Sequence, residues 1–138
     1  MRALVDTNVL SELRKGPRCH PGVMAWLAAC GPEDLFLSVL VIGEIRRGAA
    51  RIRRRARAGA QALDAWLARV VSSHGDRIVP IDLPVAEQRG RFDSARPIPE
   101  IDGLMAATAA VHNLTLVTRN TRDVARTGVA CFNPWERA

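Results

Sequence analysis

At 138 residues the chain is long enough to bury one hydrophobic core and short for two independent ones. Its 48% apolar and 25% charged composition is ordinary for a globular protein, and no stretch approaches the roughly 18 consecutive apolar residues of a membrane helix. The net charge of +6, carried by arginines and the single lysine Lys15, suits a polyanionic partner, nucleic acid or an acidic peptide, and leaves the fold open.

The N-terminal run reaches Asp6 too soon to form a signal-peptide core. Cys19, Cys30 and Cys131 are odd in number and widely spaced, so reduced thiols and a cytoplasmic location are expected. Cys19-His20 has no second ligand pair at a zinc-site spacing. With three Phe, three Trp and no Tyr, aromatics are too few to suggest a base-stacking platform.

In chain order, Arg2–Val5 reads as a short strand ending at Asp6-Thr7-Asn8. Val9, Leu10 and Leu13 follow at helical spacing up to Gly16-Pro17, and Val23, Trp26 and Leu27 mark a second helix before Gly31-Pro32. Leu35-Phe36-Leu37 is a buried strand, with Ser38 the natural N-cap of a helix bearing Val41, Ile42 and Ile45. The arginine-rich stretch reads as a continuation of that helix, with Leu63, Trp66, Leu67 and Val70 as its later apolar face and Gly48 and Gly59 as its weak points.

Ile78–Ile81 is a third strand, and Asp82 or Leu83 opens a helix to Phe92. Ala95–Pro99 is a loop, Ile101–Val111 an alanine-rich helix, and Asn113 suits a left-handed cap. Leu114–Thr118 is a strand, Arg122–Ala125 a helical turn and Val129–Phe132 a last strand. Strands alternating with helices imply a parallel sheet covered on both faces, with ligands beyond the C-terminal strand ends.

That rule sorts the fourteen acids. Asp6 ends the first strand, Glu44 lies early in the helix after the second, and Asp102 opens the helix that precedes Leu114–Thr118. Asn120 and Asp123 follow that strand. Glu33 and Asp34 precede a strand and belong at the opposite end, while Glu12, Asp64, Glu87, Asp93 and Glu136 are explained by solvent. Asp82 follows a strand, but a helix cap accounts for it, and Glu100 is peripheral. Clustered carboxylates repel one another unless a cation neutralises them, and hard oxygen donors suit Mg²⁺ or Mn²⁺.

Four segments carry a family resemblance: Leu4-Val5-Asp6-Thr7-Asn8-Val9-Leu10-Ser11-Glu12, Leu37-Ser38-Val39 with Ile42-Gly43-Glu44-Ile45-Arg46-Arg47-Gly48, Ile101-Asp102-Gly103-Leu104-Met105-Ala106-Ala107-Thr108-Ala109, and Leu116-Val117-Thr118-Arg119-Asn120-Thr121-Arg122-Asp123. Together they resemble the PIN-domain family, nearest to the VapC/FitB-like toxins of bacterial toxin–antitoxin pairs. Asn133-Pro134-Trp135 resembles the family's ending, whereas Val124 stands where many relatives have Phe.

The resemblance implies one PIN-like domain over residues 1–138, an α/β/α sandwich with a parallel sheet of four to five strands. It also implies a Mg²⁺-dependent endoribonuclease, with Mn²⁺ as a substitute, inhibited by a cognate VapB/FitA-like antitoxin. A homodimer within a larger complex that binds DNA through the antitoxin is implied too. By the same carry-over Asp6 and Asp102 hold the metal, and Glu44 and Asp123 act through water or a second ion. Glu44 would orient or deprotonate the attacking water. Asn120 competes with Asp123 for the fourth position, and Thr7, Asn8, Ser38, Thr118 and Asn120 are supporting residues or simple caps. His20, His74 and His112 fall outside the motifs.

Seven arginines lie within the twelve residues 46–57. Arg46, Arg47, Arg51 and Arg54 are contacts for RNA or an acidic antitoxin segment, beside the plainer reading of a solvated helix face. Two other enzyme classes fail on residues the chain lacks. A haloacid-dehalogenase-like phosphotransferase needs Asp where Asn8 stands, and a receiver domain needs a lysine at a later strand end. A non-enzyme that only binds antitoxin is the stronger rival, and the retained Asp6, Glu44 and Asp102 argue against it.

Overall fold

The computed structural model describes residues 1–92 and 96–136; the expectations for Asp93 and Ala95 lie outside the described residues. The first strand, β1 (Ala3–Val5), is buried along its whole length, as a strand covered on both faces must be. Asp6 turns the chain into α1 (Thr7–Leu13), and α2 (Pro21–Ala29) leads to β2 (Leu35–Ser38). Ser38 caps α3 (Val39–Ile52) by accepting from the Leu40 N–H at 3.1 Å.

After α4 (Arg57–His74) come β3 (Ile78–Val79) and α5 (Leu83–Arg91), then α6 (Glu100–His112), β4 (Thr115–Val117), α7 (Thr121–Ala125) and β5 (Cys131–Phe132). Asn113 ends α6 in the left-handed conformation, φ 57° and ψ 48°, which asparagine tolerates better than most side chains.

Among the described residues the five strands form one parallel sheet in the order β3-β2-β1-β4-β5. The chain builds outward from β1 to β3, then crosses back to lay β4 on the other side of β1. Right-handed crossovers therefore put α1–α4 on one face and α5–α7 on the other, a three-layer α/β/α sandwich. Helix contacts divide in the same way, α3 against α4 and α5 against α6.

Leu4, Leu37 and Leu116 sit at the centre of the core, each contributing about 1.5–3 kcal/mol by burial. Ala106, Ala107 and Ala109 let α6 lie close to the sheet. Among the described residues no helix is long and apolar enough to cross a membrane.

The arginine stretch departs from expectation. Instead of one continuous helix there is a hairpin, broken at residues 53–56, where the Arg55 and Ala56 N–H groups donate back to Ile52 O. Gly48 and Gly59, the expected weak points, lie inside α3 and α4. Folding back buries Ala60, Leu67 and Val70, which a straight helix would have carried past the core.

Asp64 of α4 fastens the hairpin by accepting from Arg46 at 2.6 Å and Arg53 at 2.7 Å. Those hydrogen bonds hold its carboxyl below the usual range, so Asp64 is a clamp rather than a merely solvated acid. Arg46, expected to contact RNA or antitoxin, is engaged there, while Arg47, Arg51 and Arg54 remain exposed.

Candidate active site

The strand order reverses between β1 and β4, so the crevice beyond their C-terminal ends is where an open parallel sheet binds ligands. Asp6 leaves β1 and Thr118 leaves β4 at this point, and the Asp6 N–H donates to Val117 O at 3.0 Å. Asp6 Oδ1 caps α1 by accepting from the Thr7 N–H at 2.8 Å. Its Oδ2 accepts from Thr118 Oγ1 at 2.7 Å.

Thr7 reaches a second acid: its Oγ1 donates to Glu44 Oε1 at 2.6 Å, tying α1 to α3. Thr118 Oγ1 in turn accepts from the Asn120 N–H at 3.1 Å, and Asn120 Nδ2 donates to Asp102 Oδ2 at 3.4 Å. One hydrogen-bonded chain thus runs Glu44–Thr7–Asp6–Thr118–Asn120–Asp102, linking residues from four distant parts of the sequence. Asn8 braces it, donating from Nδ2 to Thr118 Oγ1 at 3.5 Å and accepting from the Arg119 N–H at 3.3 Å.

Asp102 feels the whole cluster. Burial first, and then the charges of Asp6, Asp123 and Glu44, push its carboxyl above the usual carboxylate range. Asp123 is therefore in electrostatic reach, but it also accepts from Arg126 at 3.1 Å. The two residues expected to compete for the fourth corner divide it: Asn120 supplies the hydrogen bond to Asp102, and Asp123 the extra charge.

Asp82 is the cap it was expected to be, accepting from the Val85 N–H beside the edge strand β3. Ser38 is likewise a cap. Glu100 forms an ion pair with Arg89, whose Nη2 donates to Ile98 O at 3.2 Å and whose side chain lies where a Cβ on Gly103 would be. Arg89 thereby fixes the start of α6, which carries Asp102.

Two features escaped sequence reasoning. Glu12 is buried, 9% exposed, and binds Lys15 Nζ at 2.9 Å and the His20 N–H at 2.8 Å. The expectation that solvent explains Glu12 is overturned, because α1 and the turn before α2 close over it. The second is the Arg119 guanidinium, which lies 4.9 Å from the Trp135 ring centroid beside the rim. His20 caps α2, and the His74 ring meets Val70 O.

Among the described residues no group of three or more His, Cys, Asp or Glu side chains is gathered closely enough to hold a metal ion by itself. Thr7, Thr118 and Asn120 stand between the acids, and without a cation the carboxylates repel. The donors nevertheless fit a hydrated Mg²⁺, which keeps several waters and takes only one or two carboxylates directly.

The family model for the PIN domain matches residues 3–129. The chain belongs to the PIN-domain family. It is 36% identical to Toxin FitB of Neisseria gonorrhoeae, over 96% of this chain and 97% of that protein. It is 32% identical to VapC ribonuclease Y4jK of Sinorhizobium fredii, over 98% and 99%. Among solved structures it resembles FitAcB from Neisseria gonorrhoeae, with a TM-score of 0.87, 35% identity and coverage of 98% and 99%. The structure of FitAB bound to a DNA fragment gives the same TM-score at 33% identity, covering 99% of this chain and 97% of that one.

Proposed function

We propose that this PIN domain, a single unit over residues 1–138, is a Mg²⁺-dependent endoribonuclease toxin, with Mn²⁺ able to substitute. The observation that carries the reading is the hydrogen-bonded chain from Glu44 through Asp6 to Asp102 at the β1/β4 switch point. The relatives named as a toxin and as a ribonuclease support it.

Asp6 and Asp102 would hold the ion, with Glu44 and Asp123 reaching it through water or a second ion. When bound, the ion supplies Lewis-acid activation at the phosphodiester. The chain's own residues do the rest. Thr118 and the Thr7 N–H fix both Asp6 oxygens, Asn120 orients Asp102, and Arg89 holds the turn that presents it. Thr7 pins Glu44 Oε1, leaving Oε2 to accept the proton of the attacking water.

Outside the site, exposed Arg47, Arg51 and Arg54 are contacts for RNA phosphates or an acidic segment of a cognate VapB/FitA-like antitoxin that inhibits the enzyme. We further propose a homodimer within a larger cytoplasmic complex that binds DNA through the antitoxin, a reading supported by the solved FitAB complex with DNA.

The test is RNA cleavage by the antitoxin-free protein in Mg²⁺, in Mn²⁺ and in EDTA, beside Asp6→Asn. Cleavage should require a divalent ion and fall at least about 100-fold in the variant while circular dichroism is unchanged. Full activity in EDTA, or in the variant, would overturn the proposal.

A further inference from the structure

Beside the carboxylate rim lies a cleft of about 680 Å³ that pairs cations with an indole, lined by Lys15, Arg18, His20, Arg119, Asn133 and Trp135. Resting on the ribonuclease reading above, we propose that this cleft is a single-stranded RNA subsite for the nucleotide next to the scissile phosphate. Trp135 and Arg119 would stack its base, and Arg18 would hold phosphate while Lys15 neutralises Glu12 in the cleft wall.

Position is the first argument. Arg119 directly follows Thr118, whose hydroxyl holds Asp6, and the Asn8 side chain bonds to both residues. One wall of the cleft is thus a single residue away from the hydroxyl that orients Asp6, so a chain whose phosphodiester sits at the acids can continue into it.

Construction is the second. Asn133 Nδ2 donates to Arg119 O at 3.2 Å, and its Oδ1 accepts from the Trp135 N–H at 2.9 Å. One side chain thus fixes the exit of β4 to the turn that carries the indole. The Arg119 guanidinium lies 4.9 Å from the indole centroid, and the His20 ring is 6.2 Å away on a tilted plane. Unstacked bases are held on aromatic rings and guanidinium planes of this kind.

Charge is the third. Glu12 in the cleft wall is occupied by Lys15 and the His20 N–H, while Arg18 and Arg119 have no carboxylate partner among the described residues. Among the described residues, Glu136 is the one opposing charge left on the lining. An adjoining hollow lined by Ser11, Arg14, Lys15 and Arg18 continues the basic strip. An acidic peptide would need only the cations. The indole–guanidinium pair is what favours a base over a carboxylate side chain.

The experiment measures binding of a fluorescein-labelled single-stranded oligoribonucleotide by the full protein in EDTA, and its cleavage in Mg²⁺. Trp135→Ala and Arg119→Ala should each weaken binding about tenfold, and Trp135→Phe should restore most of it. Arg18→Gln should lower the salt slope by about one, and Glu136→Gln should tighten binding. In cleavage the changes should fall on KM rather than kcat.

Because Trp135→Ala also removes contacts with α2, Arg119→Ala and Glu136→Gln, both at exposed positions, test the subsite while Trp135 keeps its seat on α2. Unchanged RNA affinity in Arg119→Ala and Glu136→Gln overturns the subsite, as does loss of affinity for an acidic peptide instead of RNA. A wild-type protein that cleaves RNA while these variants bind normally leaves the ribonuclease reading standing. A wild type that neither binds nor cleaves removes both.

Discussion

Thr118 Oγ1 donates to Asp6 Oδ2 at 2.7 Å across 112 residues of sequence, and the pair straddles the point where the strand order reverses. Thr118 is 1% exposed, so its hydroxyl has no water to turn to, and it accepts from the Asn120 N–H as it donates to Asp6. A buried residue this polar directly after a strand's end is explained by the acid it orients.

Thr118→Val keeps the shape and removes the hydroxyl. Asp6 Oδ2 and the Asn120 N–H then each lose a part-buried partner, a stability cost of about 1–3 kcal/mol for a hydrogen bond to a charged group. Metal-dependent cleavage should fall about 10–100-fold, as when a group orienting a metal ligand is lost. Thermal melting with a parallel RNA-cleavage assay checks both, and Thr118→Ser should recover most of the activity.

Asp102 gives a pH dependence with a definite sign. Its folded carboxyl titrates above its ordinary value, so the protonated form is favoured in the native state. Its contribution to stability is full below the unfolded value and is lost as pH rises through the folded one. Asp102→Asn cannot ionise and should melt higher than wild type at neutral pH in EDTA, with the gap closing as pH falls. Adding Mn²⁺ should raise the wild-type midpoint and leave the variant nearly unmoved. Equal melting profiles for the two proteins in EDTA across this range would show that the repulsion is absent.

Asp6 was legible because a strand's C-terminal end is marked by sequence, an apolar run stopping at a polar residue, whereas Glu44 and Asp102 were legible as acids in the early turns of the helices that follow the second strand and precede the fourth. The spacers between them were less so. Thr7, Thr118 and Asn120 are equally good turn formers, and only the pairing of β1 with β4 makes them links between acids. The break in the arginine stretch was invisible for another reason. Apolar residues keep helical spacing on both sides of it, and the turn is set by the packing of α4 on α3 and by Asp64 reaching Arg46 and Arg53. Trp135 looked like one aromatic among few, and acquired a partner only when the last turn brought it over Arg119.

Glu12 should behave in the opposite sense to Asp102. The Lys15 hydrogen bond, then the His20 N–H, hold its carboxyl below the ordinary value. Its stabilisation is present above the unfolded value and is lost as pH falls through the folded one. Glu12→Gln keeps an acceptor for His20 but not the charge, so it should be less stable than wild type at neutral pH. The two should converge in acid. Melting temperatures from neutral pH downward test this, and a gap that widens in acid would contradict it.

Gly22 tests how the C-terminal turn is seated. A Cβ at this position would collide with the Pro134 carbonyl oxygen, a backbone atom that cannot rotate aside. The absence of a side chain is what lets α2 receive the turn Pro134–Glu136, and with it Trp135. Gly22→Ala removes a flexible residue from a helix, where the substitution would ordinarily gain about 0.5–1 kcal/mol. Here the collision should outweigh that gain and leave a net loss of about 1–3 kcal/mol, as for overpacking elsewhere. Chemical denaturation measures the sign, and fluorescence of Trp135 should shift as the indole is displaced. A stabilised variant with unchanged fluorescence would mean that the turn yields without cost.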